Sequence, residues 1–203
     1  MLPYFTFVAG NGNLFAWFNG FGLVSLLLGV SFSTAVSIRV GKRQLFIASM
    51  LLTGVFAAAL YVIPPHATYI IIGTEVLRQF AYGLSSPILW AMMGDVADYG
   101  EWKTRRRATA TVTSGIIFAL WAGLALGGAV AGWLLSGYGY LSQAAVQALR
   151  TQTGIVLTAS IYGSLFFLAA AVCLFFYPLT SEKNQSIAND LAERRKAPAV
   201  AAT

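Results

Sequence analysis

Asp95, Asp98 and Glu101 bring three of the chain's seven acidic residues together within seven positions. Asp95 and Asp98, and Asp98 and Glu101, sit three apart, so on a helix all three share one face. Paired carboxylates can perform acid–base chemistry when their surroundings drive their proton affinities apart. Here they run straight into Lys103, Arg105, Arg106 and Arg107, so that DVADYGEWKTRRR carries seven charges in thirteen residues. Carboxylates beside four cations read as an ion-pair network, gating or anchoring a segment, rather than as a catalytic pair. The chain has a single histidine and a single cysteine. His66 follows Pro64-Pro65 and reads as a solvated turn residue, and Cys173 lies inside an apolar run. There is no His pair, no Ser-His-Asp set and no phosphate-cradling glycine loop followed by lysine. No catalytic residue, no metal site and no enzyme activity are expected.

A second polar set is Glu75, Arg78, Gln79, Tyr82 and Ser86. Offsets of 0, 3, 4, 7 and 11 place all five on one helical face. One reading is a self-neutralising Glu75–Arg78 pair that holds helices together; the other is a polar stripe lining a substrate pathway. The length of the stripe favours the second.

The segments that carry these residues are apolar. Of 203 residues, 58% are hydrophobic and 10% charged, with a mean hydropathy of +0.71; a soluble domain is about 25% charged. This composition describes a polytopic, all-α membrane protein. The net charge of +6 does not indicate nucleic acid, because the basic residues fall in the gaps between apolar runs instead of interleaving with aromatics on one element. A spanning helix needs about 20 mostly apolar residues. Five runs qualify, at about 14–38, 45–63, 67–93, 108–135 and 154–177. Residues 1–9 read as the end of a helix whose beginning is missing, and they lack the basic start and cleavage site of a signal peptide. The bundle is therefore expected over 1–178, with a polar tail over 179–203. The 95–107 cluster is expected to be an aqueous loop, since such charge cannot sit in hydrocarbon. Arg78 then lies about 16 Å into the third full span, near mid-membrane.

Orientation follows from the basic residues. Arg39–Arg43, Lys103–Arg107 and the tail hold eleven Lys or Arg, against Arg150 alone on the other side. The basic loops and the C-terminus are expected in the cytoplasm. On the fourth full span, Gly123/Gly127 and Gly128/Gly132 are expected to let helices approach closely, and Trp121 lies inside the membrane, where it could stack on a sugar ring. Trp17, Asn19, Phe21 and Ser25 on the first full span, and Tyr4 and Thr6 before it, are weaker cavity candidates.

Several stretches carry a specific resemblance. DVADYGEWKTRRRAT resembles the signature loop of the glycoside–pentoside–hexuronide:cation symporters, the melibiose-carrier family of the major facilitator superfamily. PYFTFVAGN is similar to the end of that family's seventh helix, RVGKRQ to the loop after its eighth, and LSSPILWAMMGD to its tenth. GLALGGAVAGWLLSGYGY resembles the eleventh, and FYPLTSEKNQSIANDLAERR the close of the twelfth. The resemblance implies the C-terminal six-helix bundle of a major facilitator fold with its first helix truncated. It implies a carrier that moves a sugar or glycoside with Na⁺ or H⁺ across a bacterial inner membrane. It also implies that acids matching Asp95 and Asp98, with an arginine matching Arg107, help close the cytoplasmic side, and Glu101, in the same charged cluster, is expected to join that gate. Members often carry a lysine where this chain has Trp121, and Arg78 is the candidate to replace that charge. The family's cation carboxylates lie mainly in the N-terminal six helices, so no bound cofactor or metal is expected here. The implied partners are membrane lipid, the sugar, and that N-terminal half. The competing expectations are an inert, non-transporting fragment and a transporter-like sugar sensor.

Overall fold

A glycine-paved seam between the second and fourth helices organises the chain. The computed structural model describes residues 2–8, 14–106, 108–141 and 146–200, and these form seven helices with no strand among them. They are α1 (Leu2–Phe7), α2 (Leu14–Val40), α3 (Lys42–Ala59), α4 (Thr68–Thr104), α5 (Thr109–Gly137), α6 (Leu149–Phe175) and α7 (Ser181–Val200). Small residues at Gly22, Ser25, Gly29 and Ser33 recur at spacings of three and four, so one face of α2 can lie close against α4. A Cβ on Gly29 would collide with the Phe80 carbonyl, and one on Gly83 with the Leu26 carbonyl. The seam is also hydrogen-bonded: Ser25 Oγ donates to the Val76 carbonyl and Ser33 Oγ to the Leu84 carbonyl, each at 2.6 Å. With no water in hydrocarbon to compete, such hydroxyls are satisfied by a neighbouring helix.

By length and composition α2, α5 and α6 are apolar enough to cross a membrane. The other two expected spans fall short by that measure for visible reasons. α3 has 18 residues and opens with Lys42, Arg43 and Gln44, and α4 carries the Glu75–Ser86 stripe. Both pack against other helices, α4 against α2 and α3, and α3 against α6. Phe5, Phe18, Leu60, Ile71 and Ile155 form a core at one end of the bundle, and Leu45, Leu84, Ile88 and Met92 another toward the basic end.

Two expectations are corrected. The 95–107 cluster is not a loop as far as Thr104: α4 runs on through it for 37 residues. At 1.5 Å per residue that is about 55 Å, well beyond a hydrocarbon core of about 30 Å, so the charged turns are helical yet outside lipid. The chain turns only at Arg105, at φ 58°. Within the polar tail, α7 runs over Ser181–Val200. Thr180 Oγ accepts from the Lys183 amide at 3.4 Å at the start of that helix. Lastly, a Cβ at Gly123, Gly127, Gly128 or Gly132 would meet nothing within 4 Å, and none of the 29 residues of α5 is buried. The close approach expected on α5 occurs at Gly29 and Gly83.

Elsewhere short turns separate the helices. Pro64-Pro65-His66 forms the turn before α4, with His66 exposed. Gly41, at φ 91°, is the one residue between α2 and α3. α6 starts earlier than the apolar run, at Leu149, because Thr151 donates to the Tyr138 carbonyl at 2.8 Å and anchors its first turn.

Gly83→Leu should lower the unfolding temperature of the detergent-solubilised chain, at a cost of roughly 1–3 kcal/mol from overpacking. Gly127→Leu, on the open face of α5, should leave it within error. Equal shifts for the two would place the tight seam elsewhere.

Candidate functional site

α4 carries two separate groups of polar residues, one midway along the bundle and one at its basic end. In the first, Arg78 grips Glu75 with two hydrogen bonds: Nε donates to Oε2 at 2.7 Å and Nη2 to Oε1 at 2.6 Å. The Glu75 side chain is 4% exposed and that of Arg78 19%. Phe18, Phe56, Ala57, Leu60, Ile71 and Thr74 surround the pair and leave a void of only about 10 Å³. That is barely a water's worth of space, so in this conformation the pair is sealed. A buried pair of this kind is stabilised by its two-pronged geometry and is strongly destabilised when one partner is lost.

The expected stripe divides. Gln79 stays with the pair and lies beside Gly22 on α2. Tyr82 is 41% exposed and meets Phe167 of α6 edge-on, with ring centroids 6.3 Å apart. Trp121 on α5 is 63% exposed and belongs to neither contact. Among the weaker candidates, Tyr4 is buried in the core and Ser25 is spent on the seam. Asn19 donates to the Phe15 carbonyl of its own helix, and Trp17 stacks on Phe21.

At the basic end Asp95 is the hub. Lys42 Nζ reaches both of its carboxylate oxygens at 2.9 Å, and Asn184 Nδ2 donates to Oδ2 at 2.8 Å. One side chain of α4 thus ties down the start of α3 and the first turn of α7. Asp98, half-buried three residues on, makes no hydrogen bond or ion pair among the described residues. Glu101 lines a recess of about 440 Å³ with Arg105, Leu191 and Arg194. Arg107 lies outside the described residues.

The residues that sequence reasoning missed are those of α7. Leu179, Ile187 and Leu191 pack on Val96, Tyr99 and Trp102 of the α4 extension. Trp102 Nε1 donates to Asp190 Oδ2 at 3.0 Å, Arg194 Nη1 donates to the Trp102 carbonyl at 3.2 Å, and Lys183 lies 5.6 Å from the Tyr99 ring centre. The four-residue spacing of Ile187 and Leu191, behind the capping Thr180, was the available signal. No group of His, Cys, Asp or Glu among the described residues could hold a metal ion.

Residues 1–181 match the MFS/sugar transport protein family. Similar proteins include an uncharacterized 29.9 kDa protein of Pseudescherichia vulneris, 28% identical over 92% of this chain and 68% of that protein. The inner membrane symporter YicJ of Escherichia coli is 28% identical over 97% of this chain and 43% of its own length. The putative glycoside/cation symporter YagG of the same species is 26% identical over the same shares. The chain therefore spans less than half of either symporter.

Asp95→Ala should destabilise the bundle by roughly 1–3 kcal/mol and make α7 more susceptible to limited proteolysis in detergent. Asp98→Ala, which removes no bond among the described residues, should change neither. Identical proteolysis of both variants and the parent would show that Asp95 does not hold α7.

Proposed function

The chain belongs to the MFS/sugar transport protein family, and we propose that it is the C-terminal six-helix half of a sugar or glycoside symporter coupled to Na⁺ or H⁺. The family is one of transporters rather than enzymes. Its midplane sites lie between two repeats that rock against each other, which is the reading that best accounts for α5. That helix is as apolar as a membrane span, yet none of its 29 residues is buried. This one observation carries the proposal: α5 offers its length to something other than its own bundle, and Tyr82 and Trp121 are exposed rather than packed away.

On this reading Glu75, Arg78, Gln79, Tyr82 and Trp121 border the pathway in a multi-pass protein of a bacterial inner membrane. The basic segments and the C-terminus face the cytoplasm on this reading, which the bias of eleven basic residues against one supports. The sealed Glu75–Arg78 pair braces α2, α3 and α4 in the conformation described, and opens to substrate only if the bundle rearranges. At the cytoplasmic mouth Asp95 is committed to Lys42 and Asn184 within this half. Asp98 has no such commitment among the described residues, so on this reading it reaches across to the other half as the mouth closes, in a gate that also takes in Glu101 and Arg107. Such pairs form and break as bundles rock.

The test is uptake of labelled glycosides by vesicles carrying this chain together with the N-terminal six helices of a family symporter. Uptake should require both halves. Arg78→Gln should abolish it, while Arg78→Lys, which keeps the charge but not the two-pronged grip, should retain a fraction. Robust uptake by the 203-residue chain alone would overturn the half-transporter reading, and full uptake in Arg78→Gln would remove Arg78 from the pathway.

A further inference from the structure

A recess of about 450 Å³ opens where α2 ends, α3 begins and α7 starts, lined by Arg39, Arg43, Gln44, Thr180, Ser181 and Glu182. Two guanidinium groups face one carboxylate there. Arg43 is held in place, because Nε donates to the Leu174 carbonyl at 3.2 Å and Nη2 to the Phe175 carbonyl at 2.7 Å. Those bonds use two of its five N–H groups, leaving the rest of a fixed fork unspent. Arg39 is exposed and makes no hydrogen bond or ion pair among the described residues. Lys42, between them in sequence, is spent on Asp95. α3 starts at Gly41 with no side chain capping it, so the first amides of that helix are unsatisfied and add positive potential.

The surroundings identify the ligand. Ile38 and Val40, on the rim of the recess, are 79% and 46% exposed, and they close the apolar span of α2 at the level where hydrocarbon gives way to water. A donor-rich basic recess with a lipid-facing apolar lip matches a group that is a phosphate at one end and acyl chain at the other. We propose that this recess binds the headgroup phosphate of an anionic glycerophospholipid, clamped between Arg39 and Arg43. The lipid would brace the junction of α2, α3 and α7 from outside the bundle, opposite the internal tie at Asp95. The inference needs only that the bundle sits in a membrane, and it stands whether or not the chain transports.

Native mass spectrometry of the purified 203-residue chain, doped with phosphatidylglycerol or phosphatidylcholine, tests it. Phosphatidylglycerol should be retained in preference. Arg39→Gln, which breaks no bond among the described residues, should reduce its retention about fivefold, the worth of one basic residue near an anionic surface. Glu182→Gln should raise retention, and Arg150→Gln, at the opposite end of the bundle, should leave it unchanged. Equal losses in Arg39→Gln and Arg150→Gln, or no lipid preference, would overturn the proposal. A thermal shift with inorganic phosphate alone as large as with phosphatidylglycerol would assign the recess to free phosphate and overturn the lipid.

Discussion

Two helices can lie backbone to backbone only where neither carries a side chain, and the contact of Gly29 with Gly83 meets that condition. Everything near the middle of the bundle depends on it. The close approach brings Ser25 and Ser33 within reach of carbonyls on α4 and sets Gly22 beside Gln79 and Glu75. Glu75 can therefore be buried against α2, with Arg78 as its partner. Hydrocarbon supplies no competing hydrogen bonds, so each of these polar groups is stabilised by its neighbour or not at all. The seam and the ion pair depend on each other.

A different constraint governs the basic end. α4 is longer than the membrane is thick, and its surplus turns need a partner in water. α7 supplies one, with apolar contacts through Ile187 and Leu191 and a polar tie through Asp95, Lys42 and Asn184. Movement of α4 would be felt by both α3 and α7, because one carboxylate holds both. On the proposed half-transporter reading, the α4 extension would serve as a lever as the two halves rock.

Much of this was legible in the sequence where apolarity alone decides. α5 falls within two residues of its expected ends, because a long apolar run is bounded by charge on one side and Ser-Gly-Tyr-Gly on the other. The Glu75–Arg78 pair was legible from its spacing and its cost in lipid. The all-α character and the family followed from composition and from motifs spread along nearly the whole chain. What was not legible is where context overrides composition. Asp95 to Thr104 looks like a loop because hydropathy registers only the membrane, yet a helix that leaves it can continue if another helix covers it. The α5 glycines have the spacing of a packing motif, but spacing cannot show whether a neighbour is present. Gly29 and Gly83, not singled out in the sequence, carry the contact. Periodicity placed Tyr82 on one face with the buried pair, and the structure leaves it exposed; Trp121, singled out for its place within the fourth span, is exposed as well.

The most direct test of the half-transporter account is the accessibility of α5. Trp121→Cys, made in a Cys173→Ser background so that it is the sole thiol, would be labelled in membranes with a water-soluble maleimide. The account predicts little labelling of this chain by itself, where α5 meets lipid, and ready labelling when the N-terminal six helices of a family symporter are co-expressed and enclose an aqueous pathway, blocked by a transported sugar. Labelling that is indifferent to both the second half and sugar would contradict it, and would leave α5 facing lipid.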